Sequence, residues 1–174
     1  VFLCNPNNPT GRILPFDTLE KILEFCHQHH TRLFLDECFL DLSDEGISMK
    51  GYLKAYPELC ILKAFTKSYG MAGVRLGYCL CSDEELLEKM SRTVQPWNVS
   101  ILAQAAGVAA LSETQFLAKT KALIPVERRW LKGELEALGL WVCPSKANYL
   151  LFYGEPELHT TLKKHGIAIR NCDN

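Results

Sequence analysis

Lys67 is the residue of this sequence best suited to chemistry, because it follows an apolar strand-like run and precedes two glycines and an arginine. A lysine amine captures a carbonyl group when burial or neighbouring cations favour its neutral form. Arg75 follows eight residues later and would provide a second cation, suited to binding a phosphate. Most lysines are solvated surface residues. The hypothesis of a nucleophilic Lys67 therefore depends on the groups that accompany it.

Two other polar residues follow strand-like runs upstream of Lys67. Asn8 follows Val1–Cys4, and Asp36 follows Arg32–Leu35. Because ligands of open α/β sheets bind at the carboxyl ends of the strands, we expect Asn8, Asp36 and Lys67 to converge there. A lysine for a Schiff base, a carboxylate for a pyridinium nitrogen and an arginine for a phosphate are what pyridoxal phosphate requires from a protein.

The elements that would position these residues form a strand, a helix and a second strand near the start of the chain. Residues 15–30 carry apolar side chains at helical spacing, with Asp17 and Glu20 in the first turn. This order predicts a parallel pair with a right-handed crossover. Two further strands are predicted over residues 59–65 and 74–81.

The rest of the chain is predicted to be mainly helical before a small α+β unit. The first predicted helix covers residues 82–94 and is opened by a capping box at Ser82. The second covers 99–111 and is almost wholly apolar and buried. The third covers 113–138, with a bend at Pro125 and a stop at Gly139. Beyond them the pattern predicts strands at 141–143, 147–153 and 167–170 and a helix at 155–165. We assign residues 1–112 to a large domain, 113–139 to a bridging helix and 140–174 to a small domain.

Composition favours small-molecule chemistry over other functions. The 174 residues carry a formal net charge of -1, which gives no basic footprint for nucleic acid or an anionic membrane. The longest apolar runs are shorter than the roughly 20 residues that span a bilayer. The eight cysteines lie mostly in apolar runs, which indicates free thiols in a reducing cytoplasm. His27, His29 and His30 lack other ligands at metal spacing, so we expect no metal site.

Three segments resemble the signatures of the aminotransferase class I/II family of fold type I pyridoxal-phosphate enzymes. They are Asn5–Gly11, Asp36–Phe39 and the run from Thr66 to Arg75. The resemblance covers the whole chain. It implies an α/β fold comprising the C-terminal half of the large domain, with a mainly parallel sheet, and most of the small α+β domain.

The resemblance also implies roles for individual residues. Asn8 would bind the phenolic oxygen of the cofactor and Asp36 its pyridine nitrogen. Lys67 would link covalently to the cofactor. Arg75 and Thr66 would bind the cofactor phosphate, and Phe39 would contact the cofactor. Asn8 and Arg170 would bind the substrate, since the guanidinium of Arg170 suits a carboxylate.

One departure from the family pattern narrows the expected reaction. Most such aminotransferases have Tyr at the position of Phe39. Phe39, Asp41 and the segment 95–100 instead resemble threonine-phosphate decarboxylase. The first expectation is therefore decarboxylation of threonine phosphate to aminopropanol phosphate, in cobalamin biosynthesis. The alternatives are transamination of histidinol phosphate or a related amino acid, and a cofactor-free binding module.

The sequence also predicts that this chain is a fragment. The family's glycine-rich phosphate-binding turn and ring-stacking aromatic residue do not occur in these 174 residues. We expect the longer parent protein to be a cytoplasmic homodimer, and this chain alone to be inactive.

Overall fold

A four-stranded sheet forms the larger unit of the computed structural model, which describes residues 1–172. The spatial order is β1-β2-β3-β4. The strands are β1 (Phe2–Cys4), β2 (Leu33–Asp36), β3 (Leu59–Ala64) and β4 (Gly77–Cys81). The first three strands are parallel, and β4 is antiparallel to β3. The sheet is thus mainly parallel, as the sequence predicts.

The helix α1 (Phe16–Gln28) crosses from β1 to β2 and covers one face of the sheet. Its buried residues Leu19, Leu23 and Cys26 recur at helical spacing and pack with the buried strand residues Leu33, Leu35, Leu59 and Ile61. Burying a leucine of this kind contributes about 1.5–3 kcal/mol to folding. The predicted strand-helix-strand unit is confirmed.

The edge strand β1 is less buried than its apolar sequence would suggest. Phe2 is 83% exposed, and Leu3 and Cys4 are only partly buried. In the described part of the chain β1 pairs with β2 alone. An edge position leaves one side of a strand uncovered, whatever the apolar character of its residues.

The connection between β3 and β4 is longer and more helical than predicted. The helix α2 (Phe65–Ser68) begins immediately after β3, so Phe65 is helical and Lys67 lies on a helical turn. Single 3₁₀ turns cover Leu40–Leu42, Met49–Tyr52 and Ala72–Val74. The predicted fourth strand therefore begins at Gly77 rather than Val74.

Three longer helices follow β4, namely α3 (Glu84–Thr93), α4 (Ile101–Ser112) and α5 (Phe116–Ala137). Asp83 rather than Ser82 caps α3, since its Oδ1 accepts from the Leu86 N–H at 2.9 Å. Pro125 lies inside α5, which continues through it. At the end of α5, Gly139 takes a φ of 81°, as expected for a glycine stop.

The predicted burial of α4 is wrong for most of its surface. Only Ala103, Gly107 and Ala110 are buried, whereas Ile101 and Leu102 are 79% and 77% exposed. A helix that is apolar on every side has no polar face to show which side packs. The sequence could therefore not specify the packed face.

The smaller unit contains β5 (Trp141–Val142), which pairs antiparallel with β6 (Phe152–Tyr153), and α6 (Leu158–Lys164). Residues 167–170 were predicted as a strand, but they pair with no strand in the described range 1–172. The last two residues of the predicted domain 140–174 lie outside the described residues. Between residues 1 and 172 no helix combines the length and apolar character required to cross a membrane. The division into domains remains a proposal.

Candidate active site

The carboxyl ends of β1, β2 and β3 bring three of the predicted residues to one edge of the sheet. Cys4 lies opposite Asp36 in the strand register, and Asp36 lies opposite Leu62. The segment carrying Asn8 follows β1, and the turn carrying Lys67 follows β3. Parallel pairing therefore gives the arrangement that the sequence predicts, with Asp36 on the middle of the three strands.

The loop that carries Asn8 is fixed at both ends by hydrogen bonds. The Asn5 N–H donates to the Asp36 carbonyl at 2.9 Å, and the buried Asn5 Oδ1 accepts from the Leu14 N–H at 2.9 Å. Cis peptide bonds precede Pro6 and Pro9. The loop is thus hydrogen-bonded directly to Asp36, a second predicted site residue. Asn8 itself is exposed.

The smaller unit holds the same loop from the other side. The Lys146 N–H donates to the Gly11 carbonyl at 2.8 Å, and the Tyr149 hydroxyl donates to the Asn7 carbonyl at 2.9 Å. Gly11 has a φ of 70°, and a Cβ built there would lie 2.0 Å from the Ser145 Oγ. Gly11 is therefore required both by its backbone conformation and by the close approach of residue 145.

We expect Gly11→Ala to destabilise the protein by about 2–4 kcal/mol, because it adds a left-handed backbone penalty to a steric clash. Chemical denaturation measures this change. Gly51→Ala is the matched control, since no atom lies within 4 Å of a Cβ there and no positive φ is recorded. The control should shift the free energy of unfolding by less than about 0.5 kcal/mol. Equal effects of the two substitutions would contradict the assigned contact with Ser145.

The Asp36 side chain is half-buried and held in one orientation. Its Oδ1 accepts from the Cys38 N–H at 2.9 Å. Burial, followed by the hydrogen bond to Asp36, raises the pKa of the Cys38 thiol to about 12. Cys38 is thus a neutral neighbour of the carboxylate at physiological pH.

Lys67 lies against an aromatic pair that joins the two units. Its Nζ is 5.1 Å from the centre of the Phe39 ring. The Phe39 ring in turn contacts the Tyr149 ring edge-on, with 4.9 Å between centres and 77° between planes. Among the described residues, the Lys67 side chain is exposed.

Tyr149 is the site residue that the sequence analysis missed. Besides its contacts with Asn7 and Phe39, it has a raised pKa, caused first by burial and then by the nearby charges of Cys4 and Asp36. No local pattern singles it out, because its position in a strand-like run of the small unit is typical of a core residue. Only the tertiary structure places its hydroxyl beside the loop that carries Asn8.

Arg170, although not on a strand, lies near Asn8. Both residues line one cleft of about 310 Å³, together with Pro9, Tyr149, Leu150, Leu151, Phe152, Ile169 and Cys172. Asn8 and Arg170 thus come together, as a shared role in substrate binding requires. The structure does not test that role, which stays a prediction.

The predicted phosphate-binding residues lie on the turns after β3. Thr66 precedes Lys67 on α2 and is half-buried. Arg75 has a φ of 59°, and its Nη1 donates to the Ala72 carbonyl at 2.9 Å. A non-glycine residue in this conformation is uncommon and often marks a functional position. Arg75 is exposed, so its guanidinium is accessible to an anion.

The donor set at this edge fits pyridoxal phosphate. The central strand β2 carries the carboxylate of Asp36, and the loop after β1 carries the amide of Asn8. The turns after β3 carry the amine of Lys67 and the guanidinium of Arg75. These groups match in type the pyridine nitrogen, the phenolic oxygen, the aldehyde and the phosphate of the cofactor.

The chain belongs to the aminotransferase class I and II family, whose model matches residues 1–173. Histidinol-phosphate aminotransferase 1 of Carboxydothermus hydrogenoformans is 37% identical over 98% of this chain and 48% of the relative. Threonine-phosphate decarboxylase of Salmonella typhimurium is 35% identical over 100% of this chain and 49% of the relative. The chain therefore spans about half the length of the curated relatives it matches.

Solved structures show the same similarity. Histidinol-phosphate aminotransferase from Clostridium acetobutylicum superposes with a TM-score of 0.89 and 29% identity, over 98% of this chain and 53% of the other. Histidinol-phosphate aminotransferase from Sinorhizobium meliloti was solved in complex with pyridoxal-5'-phosphate. It superposes with a TM-score of 0.83 and 26% identity, over 97% of this chain and 48% of the other. These matches confirm the predicted fold type I architecture and its partial extent.

Proposed function

We propose that the full-length protein is a pyridoxal-phosphate enzyme that acts on a small phosphorylated amino compound. The observation that carries this proposal is the convergence of Asn8, Asp36 and Lys67 at the carboxyl ends of three neighbouring parallel strands. A cofactor-free binding module would not need these three groups at one edge. Family membership supports the same conclusion.

The residues divide the work of binding and proton handling. When bound, pyridoxal phosphate supplies an electron-withdrawing ring that accepts the electron pair of a bond broken at the substrate's α-carbon. Asp36 holds a proton on the ring nitrogen, and Asn8 binds the phenolic oxygen. Lys67 would hold the cofactor at its aldehyde group, and its amine would move protons at the substrate. Arg75 and Thr66 bind the phosphate, and Arg170 orients the substrate carboxylate where one is present.

Transamination of histidinol phosphate or a related compound is the first candidate reaction. Histidinol-phosphate aminotransferases predominate among the similar curated proteins, and they include relatives at 37% and 35% identity. The comparisons therefore favour the alternative expectation over decarboxylation, which the sequence analysis placed first. Phe39, Asp41 and residues 95–100, which favour decarboxylation, form a small part of the chain. The percentage identity to each relative is instead an average over the whole chain.

Decarboxylation of threonine phosphate is the second candidate, and Phe39 favours it. The phenylalanine ring lies 5.1 Å from Lys67 and has no hydroxyl to donate to the cofactor. A threonine-phosphate decarboxylase is among the relatives, at 35% identity. A role in cobalamin biosynthesis would follow only from this second candidate.

Product analysis of the full-length protein separates the two reactions. Histidinol phosphate with 2-oxoglutarate should give glutamate by the first candidate. Threonine phosphate alone should give carbon dioxide and no 2-oxo acid by the second. We expect glutamate formation to exceed carbon dioxide release by at least about tenfold in kcat/KM, a difference of about 1.4 kcal/mol in the barrier. Carbon dioxide release without transamination would reverse the order of the candidates.

We further propose that the full-length protein is a homodimer. The exposed apolar residues of α4, among them Ile101, Leu102 and Val108, support this proposal, because monomeric proteins rarely leave such a face uncovered. Sedimentation of the full-length protein measures the oligomeric state.

A further inference from the structure

A cluster of charges around the buried Lys63 and Glu37 lies beside the turn that carries Lys67. Lys63 on β3 is only 8% exposed, and its Nζ lies 2.8 Å from Asp41 Oδ1 and 3.3 Å from Glu37 Oε2. Burial alone would lower the pKa of Lys63, but the hydrogen bond and charge of Asp41, with those of Glu37, outweigh it and raise the pKa. Lys63 is thus a charged ammonium rather than a second nucleophile. We call Glu37, Asp41 and Lys63 the acid–lysine cluster.

Two serine hydroxyls donate to the carboxylates of the acid–lysine cluster. The Ser48 Oγ donates to Glu37 Oε2 at 2.6 Å, and the Ser68 Oγ donates to Asp41 Oδ2 at 3.1 Å. Ser68 is 5% exposed and directly follows Lys67. Asp41 therefore uses one oxygen for Lys63 and the other for Ser68.

The hydrogen bond from Ser68 has a particular consequence for α2. This helix has only four residues, and no side chain caps its start. Because a four-residue helix is not stable by itself, the position of α2 depends on contacts made by its side chains. Phe65 is buried at the first residue of the turn, and Ser68 is tied to Asp41 at the last. Lys67 lies between these two attachments.

We propose that Ser68 and Asp41 are positioning residues for Lys67. The hydrogen bond between them fixes α2 to the acid–lysine cluster, and this holds the Lys67 amine beside Phe39 at the carboxyl edge of the sheet. Asp41 follows Phe39 by two residues, so one segment supplies both the ring that Lys67 contacts and the anchor of its turn. The inference rests on the proposed function of Lys67 as the cofactor-binding residue.

The test compares Ser68→Ala with Ser48→Ala in the full-length protein. Both changes remove one hydroxyl that donates to a carboxylate of the same cluster, but only Ser68 adjoins Lys67. After removal of the cofactor, the rate of pyridoxal-phosphate capture is followed by visible absorbance, and borohydride trapping with mass spectrometry identifies the labelled lysine. The unfolding midpoint is measured in parallel.

We expect Ser68→Ala to slow capture about tenfold, the size of effect associated with a hydrogen bond to a charged group. Ser48→Ala should change the rate less than about twofold, although both variants lower the unfolding midpoint to a similar extent. Equal capture rates in the two variants would overturn the positioning role and leave Lys67 as the cofactor lysine. Failure of the wild-type protein to label Lys67 would instead overturn the proposed function, and the inference with it.

Discussion

Lys67→Ala is expected to abolish covalent capture of pyridoxal phosphate by the full-length protein and to reduce turnover by at least about 10⁴-fold. Loss of a positioned proton-transfer group alone costs up to about this factor, and Lys67 would also be the covalent attachment point. The Lys67 side chain is exposed and makes no ion pair among residues 1–172. Its removal should therefore change the free energy of unfolding by less than about 0.5 kcal/mol.

The matched variant is Lys67→Arg, which preserves the positive charge beside Phe39 but not a nucleophilic amine. If Lys67 acted only through its charge, arginine would restore much of the activity. We expect it to restore none. Borohydride reduction of the wild-type protein should label the Lys67 peptide and leave Lys63 unlabelled, because two carboxylates hold the Lys63 ammonium. Label on Lys63 would contradict the assignment.

Asp36→Asn is expected to have the second-largest effect, a loss of about a thousandfold in turnover. An amide cannot hold the proton on the ring nitrogen, and a barrier higher by about 4 kcal/mol gives this factor. The shape of the side chain is preserved, and an amide oxygen can still accept from the Cys38 N–H. The substitution should therefore affect catalysis more than folding.

Steady-state kinetics and thermal unfolding of the same preparations measure the two effects. Asp17→Asn makes the same chemical change on the exposed first turn of α1, where Asp17 forms only a 3.8 Å ion pair with Lys21. Surface ion pairs of this kind contribute about 0–1 kcal/mol to stability, so the control should retain wild-type turnover. A loss of less than tenfold in Asp36→Asn would show that another group holds the ring nitrogen's proton.

Local sequence patterns determined the first half of the fold. The helical spacing of Leu19, Leu23 and Cys26 and the apolar runs on either side predicted the strand-helix-strand unit, which the structure confirms. From parallel pairing alone, Asn8, Asp36 and Lys67 were expected at one edge. These predictions succeeded because periodicity within one helix and the parallel pairing of two strands joined by that helix involve only residues close in sequence.

Boundaries near the site depended on interactions that sequence patterns do not show. The sequence pattern predicts Phe65 as the last residue of a strand, whereas in the structure it is the first residue of α2. Residues 167–170 are apolar enough for a strand but have no pairing partner in the described part of the chain. A strand is defined by its neighbour, so its propensity alone cannot establish it.

The tertiary structure alone decided which distant residues join the site. Tyr149 reaches the Asn7 carbonyl across 142 positions, and Ser68 reaches Asp41 across 27. Neither contact follows from the spacing of the residues concerned, because it depends on how separate elements are placed in space. The same limit explains α4, whose almost wholly apolar sequence established a helix but not which face would be buried. Sequence thus determined the elements and the chemical groups at their ends, whereas packing between elements determined how those groups are held.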